Sequence, residues 1–416
     1  MRYFYLIIIS ALSIIILWIN IKLHSENYSK KQQKEDIIKQ LNFLEKELKE
    51  NYSGERMQKI FPEGYVFIHA LYGLSWCELT NTDPNDFNLK KRAIKESIYA
   101  LDQINSDKAK WTFEGYLKPE YGIFYSGWKN YLLSKILSID TSFSQHKIYI
   151  NLFKAQCDSI ANALKANKSP YIESYSHQSW PADMFVAMAS LSNHDKIFKP
   201  KYNIDIDQWL QKVKENLDTI SKMVPHKVDS KTGKAIEGTR GSSMGLILRM
   251  LGEINSEFGK EQFDLYKSNF ISTTFGLPSI REYPSGQDGY GDVDSGPVIL
   301  GVGFSATIVS IGTLSIYDHN TLANNQYKTI HAFGLAIKSH NQKRYLLGKL
   351  PMADAFITWG RASGMNTNNV YECSRGSFIK FHSVSFLALL VIWSLFYQQK
   401  IRKLFKKNPI PLKSHP

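Results

Sequence analysis

Two kinds of helical segment alternate along the chain. Segments beginning near Glu63, Phe124, Pro181, Thr239, Pro297 and Pro351 are apolar nearly all round and rich in Gly, Ala and Ser. Segments beginning near Leu89, Ser144, Ile206, Gly259 and Asn320 are apolar on one side and carry the charges. A helix apolar all round must be buried, whereas a one-sided helix lies on a core with its polar face in water. Lys34–Glu50 supplies a sixth one-sided segment, because Ile37, Ile38, Leu41, Leu44 and Leu48 form a single stripe at helical spacing. The pattern predicts six inner helices ringed by six outer ones.

The segments recur at a near-constant interval. Stretches rich in Gly, Pro, Asp and aromatics open the inner helices. One landmark in each (Tyr65, Tyr125, Asp183, Arg240, Asp294, Asp354) gives gaps of 60, 58, 57, 54 and 60 residues. That period suits a hairpin of two helices, and repeated hairpins bury their apolar faces by stacking on one another. The expected fold class is all-α: an (α/α)6 toroid, or one of five hairpins, over residues 34–364. Pro181, Pro297 and Pro351 suit first helical turns. The 274–295 loop is long, polar and Gly-rich, and loops of that length are often functional.

Two apolar runs flank the repeats. Residues 3–21 hold no charge and are long enough to cross a bilayer. Trp18 and Asn20 stand where a signal peptide needs small residues, which favours an uncleaved anchor. Residues 381–397 form the second run, with Trp393 and Tyr397 suited to an interface. Behind it, residues 398–416 carry Lys400, Arg402, Lys403, Lys406, Lys407 and Lys413 and no acid. Such a tail is expected to stay in the cytoplasm. Both termini then lie inside, and the toroid is periplasmic or extracellular on a cell membrane, of bacterial inner-membrane type.

Charge and cysteine content narrow the class further. Those six tail charges leave only +7 of the net +13 for nearly 400 residues, so no folded basic stripe points to nucleic acid. Cys77, Cys157 and Cys373 are few, odd in number and widely spaced, which argues against a disulfide framework or a cysteine metal site. No His-Glu-x-x-His, Walker A loop or dinucleotide fingerprint is present, and no metal or cofactor is expected. Gly238–Gly245 (GTRGSSMG) looks like a phosphate loop but lacks Gly-Lys-Ser/Thr, and reads as close helix packing.

The organisation resembles the (α/α) toroid architecture shared by six-hairpin glycosidases, polysaccharide lyases, terpenoid cyclases and the linalool dehydratase/isomerase type of enzyme. The stretch Asp292-Val-Asp294-Ser295-Gly-Pro resembles the acidic motif of squalene-type cyclases without its run of consecutive aspartates. The resemblance implies that the inner helices point their N-termini at one funnel-shaped end where loops build the site. It would gather Tyr121, Tyr125, Trp128, Tyr175, His177, Trp180 and Asp183 with Glu237, Arg240, Tyr283, Asp288, Tyr290, Asp292, Asp294 and Asp354.

Carboxylates among aromatic rings suit a carbohydrate, since rings stack on sugar C–H faces and glycoside hydrolysis needs two carboxyl groups in different protonation states. The expected acid–base residues are Asp183, Asp292 and Asp294, with His177 as the alternative proton carrier. Tyr125, Trp128, Trp180 and Tyr290 would line the cleft, and Glu237 and Arg240 would bind substrate groups. Structural roles compete with each of these. Asp294 and Ser295 suit the N-cap of a helix from Pro297, Asp183 suits a first turn, Glu237 and Arg240 can pair, and Tyr125 and Trp128 have core spacing. The leading expectation is a membrane-anchored enzyme that hydrolyses or eliminates within a glycan. An isoprenoid or lipid isomerase or dehydratase, and a non-catalytic scaffold of the cell envelope, are the alternatives.

Overall fold

The computed structural model describes residues 2–24, 29–139, 146–365, 376 and 378–407. Cys373, the start of the expected Ser144 helix and the end of the basic tail, Lys413 included, lie outside them. The chain is built from helices, with four two-stranded hairpins among the described residues.

Inner and outer helices alternate as the pattern predicts. The outer ones are Lys30–Lys49, Phe87–Asn105, Lys147–Ala166, Asn203–Glu215, Ser256–Phe270 and Asn320–Phe333. The inner ones are Gly64–Asn81, Gly122–Ile139, Pro181–Ile197, Gly241–Ile254, a broken fifth made of Phe304–Val309 and Thr313–Ile316, and Pro351–Gly364. Each inner helix packs on the next, and the sixth packs on the first, closing a six-membered ring. The fold is an (α/α) toroid, and one continuous apolar core runs through it from Ile37 to Met365.

Loops make the two poles unequal. Each outer helix leads into the N-terminus of an inner helix through a long segment, such as 106–121, 216–240, 271–303 or 334–350, whereas the return connections are as short as 82–86 or the single residue Asn255. The long loops therefore gather at the end where the inner helices begin. The expected phosphate-loop lookalike is a packing device: a Cβ on Gly241 would lie 1.9 Å from the Arg281 carbonyl oxygen.

The fifth inner helix departs from expectation. No helix begins near Pro297. Val298–Ile299 pairs with Val302–Gly303 around a turn at Leu300-Gly301, and the helix starts at Phe304. β-branched Val298, Ile299 and Val302 favour the strand pairing. The helix then breaks at Gly312, whose φ of +87° and contact with the Gly360 carbonyl leave no room for a side chain.

Tyr3–His24 and Ile379–Gln398 are long and apolar enough to cross a membrane. They pack on each other, with His382 donating or accepting at His24 (2.7 Å) and Trp393 Nε1 donating to Ser13 Oγ (3.1 Å).

Candidate functional site

Four of the six inner-helix N-termini place polar groups toward the long-loop pole. Glu63 precedes the first inner helix, Trp180 and Asp183 open the third, and Arg240, Ser242 and Ser243 open the fourth. The 282–295 segment adds Glu282, Asp292 and Asp294 ahead of the fifth.

Asp183 is buried, and Ser174 Oγ donates to its Oδ2 at 2.6 Å. Burial pushes its carboxyl up to about 7; the Ser174 hydrogen bond opposes the rise, and the charges of Glu63 and Asp294 add to it. Glu63 is raised as well, by burial first and then by Asp294, while accepting from Tyr175 Oη at 3.2 Å. Asp294 is raised by desolvation and by Asp292, with Arg240 opposing. The charge of Asp294 thus bears on both Glu63 and Asp183, and that of Glu63 on Asp183.

Asp292 has a different environment. One oxygen accepts from Arg240 Nη1, and the other accepts backbone N–H groups of Asp294 (3.1 Å) and Ser295 (2.8 Å). Burial would raise it, but these partners hold it at about 2, so it stays ionised. Asp292 is therefore the residue that shapes the turn, and Asp294 caps no helix because none begins at Pro297. Arg240 also holds Glu237, with Nη2 donating to Oε2 at 2.6 Å, which is the pairing the spacing suggests. Its guanidinium lies 5.6 Å from the Tyr283 ring.

The expected aromatic platforms separate. Trp180 is half-buried at the mouth, edge-on to Tyr175 at 5.5 Å and covered on one side by Lys227 at 4.9 Å. Tyr290 is exposed on the loop. Tyr125 and Trp128 are fully buried. Tyr125 donates to the Ile104 carbonyl, and Trp128 packs on Phe67, Phe124 and Trp359. Neither presents a face to the mouth, because the core spacing of residues 125 and 128 on a buried helix wins. His177 sits at a tight turn with φ +60°, its side chain in solvent and its ring beside Glu173, away from the carboxylate cluster. Asp354 is buried and accepts from the Tyr345 backbone N–H at 2.8 Å. Asp288 faces Arg281 at the surface.

Several mouth residues were not singled out from the sequence. Glu63 stands one residue before an apolar helix. Glu282 is buried, accepts from Ser242 Oγ at 2.8 Å, and is pushed up to about 7 by burial. His226 bonds Ser243 Oγ and is pushed down to about 3 by burial and Arg240. The charge of Glu63 next to an all-apolar helix was the one signal available. Beneath them Phe67 and Phe356, 5.4 Å apart and both half-buried, make an aromatic floor with Phe124.

A cavity of about 490 Å³ opens at the opposite pole, lined by Glu78, Lys135, Asn193, Lys196, Arg249 and Glu253 among others. Its main charges answer each other: Lys135 lies 2.8 Å from Glu253 and 3.7 Å from Glu78. It holds none of the residues expected from the sequence. Among the described residues no three His, Cys, Asp or Glu side chains converge as metal ligands. Cys77 and Cys157 are buried small hydrophobes whose thiols burial pushes up to about 12.

No protein-family model and no curated protein matches the chain. Among solved structures, the chain is similar to a selenomethionine derivative of the GH76 alpha-mannanase of Bacteroides thetaiotaomicron. The TM-score is 0.43 and the identity 13%, over 72% of this chain and 86% of that one.

Proposed function

We propose that the chain is a membrane-anchored enzyme whose toroid, residues 34–364, cleaves a glycan at the long-loop pole by acid–base chemistry. The observation that carries this reading is buried Asp183, held by Ser174 and under the charges of Glu63 and Asp294, with Glu63 accepting from Tyr175 and the Tyr175 ring edge-on to Trp180. Glycoside cleavage needs one carboxyl that keeps its proton and one that does not. Asp183, raised to about 7, is the proton donor to the leaving-group oxygen. Asp294, in contact with solvent, is the second carboxylate, acting as nucleophile or as base to a water. Glu63 raises the proton affinity of Asp183, and Asp292 that of Asp294. Asp292 and Arg240 hold the Asp294 turn in place, with Glu237 on the other side of Arg240.

The spans anchor the toroid, and the basic tail keeps both termini in the cytoplasm with the toroid outside. A second reading rests on the aromatic floor of Phe67, Phe124 and Phe356. It gives the same Asp183 proton to an isoprenoid-like alkene or alcohol.

The test is product formation by the full chain in detergent against a panel of polysaccharides. New reducing ends score hydrolysis and ultraviolet-absorbing unsaturated ends score elimination. Asp183→Asn and Asp294→Asn should abolish either signal. Turnover of an isoprenoid alcohol with no saccharide cleaved would overturn the glycan reading in favour of the second.

A further inference from the structure

Four turn tips at the long-loop pole carry a bulky apolar residue where the backbone asks for glycine or asparagine. Phe275 has φ +56°, Leu300 +52°, Leu335 +49° and Leu347 +57°. Three of them are followed directly by a glycine that is also left-handed: Gly276, Gly301 and Gly348. Leu300-Gly301 is the two-residue turn of a hairpin, which favours Asn-Gly, while Phe275 and Leu347 lie in short 3-10 turns, and a bulky side chain in the left-handed region is strained at each. The side chains gain only partial burial in return, since Phe275 is 43% exposed, Leu300 67%, Leu335 45% and Leu347 53%. Val293, Ile299 and Phe333 are exposed beside them. A cost in backbone strain and in apolar surface left in water is repeated four times on one side of the ring. An apolar surface of this kind marks a site of contact with a partner or a membrane.

The two membrane-length helices leave the toroid in the same sector. Leu277, two residues past the first tip, packs with Leu23 and Phe378. A Cβ on Gly276 would lie 2.9 Å from the Lys380 side chain, and Phe333 meets Phe381 edge-on at 6.0 Å. The remaining tips are tied to that sector by backbone. Arg281 bridges to Val302 in the Leu300 hairpin, and Leu346 N–H donates to the Gly334 carbonyl at 2.7 Å, joining the Leu335 and Leu347 turns. Lys349 and Lys380 are exposed next to the tips, where a lipid phosphate layer would sit. Leu300 belongs to the same loop as Asp292 and Asp294, so the rim and the carboxylate cluster share one mouth.

We propose that Phe275, Leu300, Leu335 and Leu347 form a rim that dips into the bilayer, pitching the mouth onto the membrane surface beside the two spans. The inference rests on the membrane-anchored reading above and adds to it the direction in which the site faces. A mouth held there meets a saccharide carried on a membrane lipid before a soluble polysaccharide.

Depth-dependent quenching tests this in the full chain reconstituted into phosphatidylcholine vesicles carrying acyl-chain doxyl groups. Cys77 and Cys157 are buried, so a Cys373→Ser background accepts a single environment-sensitive fluorophore at an introduced cysteine. Leu300→Cys is decisive, because Leu300 sits on the carboxylate loop, whereas Gly276 and Leu277 beside the first tip already meet the spans. The label there should be quenched several-fold more than labels at Phe87→Cys and Ile204→Cys. Those two exposed positions open outer helices at the opposite pole. Labels at Ile8→Cys and Leu390→Cys report the spans. Quenched spans with an unquenched Leu300 label overturn the docking rim and leave the anchor standing, whereas unquenched spans overturn both. Leu300→Asn keeps the left-handed turn, so a companion label at Leu335→Cys in that variant reports the rim with the hairpin intact. Its quenching should weaken, and undiminished quenching there would count against a rim that acts as one surface.

Discussion

Asp36 and Arg361 stand 325 residues apart in sequence, yet Asp36 Oδ2 accepts from Arg361 Nη1 at 2.7 Å in the buried seam where the ring closes. Lys343 Nζ lies 2.7 Å from the same oxygen and Lys338 Nζ 3.0 Å from the other. The first outer helix is thereby fastened to the last hairpin by charge as well as by apolar packing. Removing one partner of a buried pair leaves the others uncompensated.

Asp36→Asn is therefore predicted to cost about 3–5 kcal/mol of stability. Burial would raise this carboxyl, but the facing cations overcome it and hold it well below its ordinary 3.8. Its contribution is present above the unfolded value and fades as pH falls below about 4. Thermal unfolding of the full chain in detergent at pH 7 and pH 3 measures both. The gap between the wild-type and Asp36→Asn melting temperatures should narrow at pH 3, where the loss has begun but the folded carboxyl is still ionised, and a gap that persists unchanged would refute the ionic account.

Asp183 carries the opposite sign. The unfolded chain ionises it from 3.8, whereas the folded site keeps it protonated to about 7. The folded state binds the extra proton between those limits, so stability falls as pH rises through that window and the loss is complete above about 7. Asp183→Asn is predicted to raise stability at pH 8 by a few kcal/mol, at most ~4, with no gain at pH 3, while removing activity. In the wild type, kcat/KM should decline above about pH 7 as the donor loses its proton. A variant that is inactive and also less stable at pH 8 would mean that Asp183 is a structural cap.

The ring itself was legible because burial writes itself into composition. All-apolar segments against one-sided ones, at a steady period, specify inner and outer helices wherever each is continuous. The fifth inner helix was misread because Pro297 looks like a first turn, while the competing signal, Val298 and Ile299 against Val302 around Leu300-Gly301, is only two residue pairs long. Asp183, Arg240 and the 292–294 loop were found because they recur at one phase of the repeat. Glu63 and Glu282 are missed because each is a lone acid in sequence, and what marks them is burial and partners from other elements, Tyr175 and Asp294 for Glu63 and Ser242 for Glu282. Trp128 was placed in the cleft because an aromatic on a buried helix reads alike whether it faces the core or the axis.

Asp292 and Asp294 should separate in experiment. Among the described residues Asp294 has no side-chain hydrogen bond, while Asp292 accepts from Arg240 and from two backbone N–H groups. Asp294→Asn is predicted to lower kcat by ~100-fold or more, the scale of a lost acid–base group, with the melting temperature held within a few degrees. Asp292→Ala should lower kcat and loosen the loop together, seen as faster amide exchange across 291–296 that Asp292→Asn partly restores. Equal exchange in both Asp294→Asn and Asp292→Ala would show that the turn does not depend on the Asp292 carboxylate.

The two tryptophans named as platforms give the sharpest contrast between core and cleft. Trp128 is fully buried with its ring 4.8 Å from Phe67 and 6.0 Å from Trp359. Trp128→Ala is predicted to cost ~3–5 kcal/mol through the cavity it leaves, and any activity lost should track the folded fraction. Trp180 is half-buried and makes one edge-on contact with Tyr175, so Trp180→Ala should cost only ~1 kcal/mol in stability. It should raise KM several-fold with kcat nearly unchanged, because a stacking face binds ground state and transition state alike. Denaturation midpoints paired with steady-state kinetics on both variants decide it. If Trp128→Ala stays folded with a raised KM while Trp180→Ala is kinetically silent, the substrate lies deeper in the ring than the carboxylate cluster, on the aromatic floor.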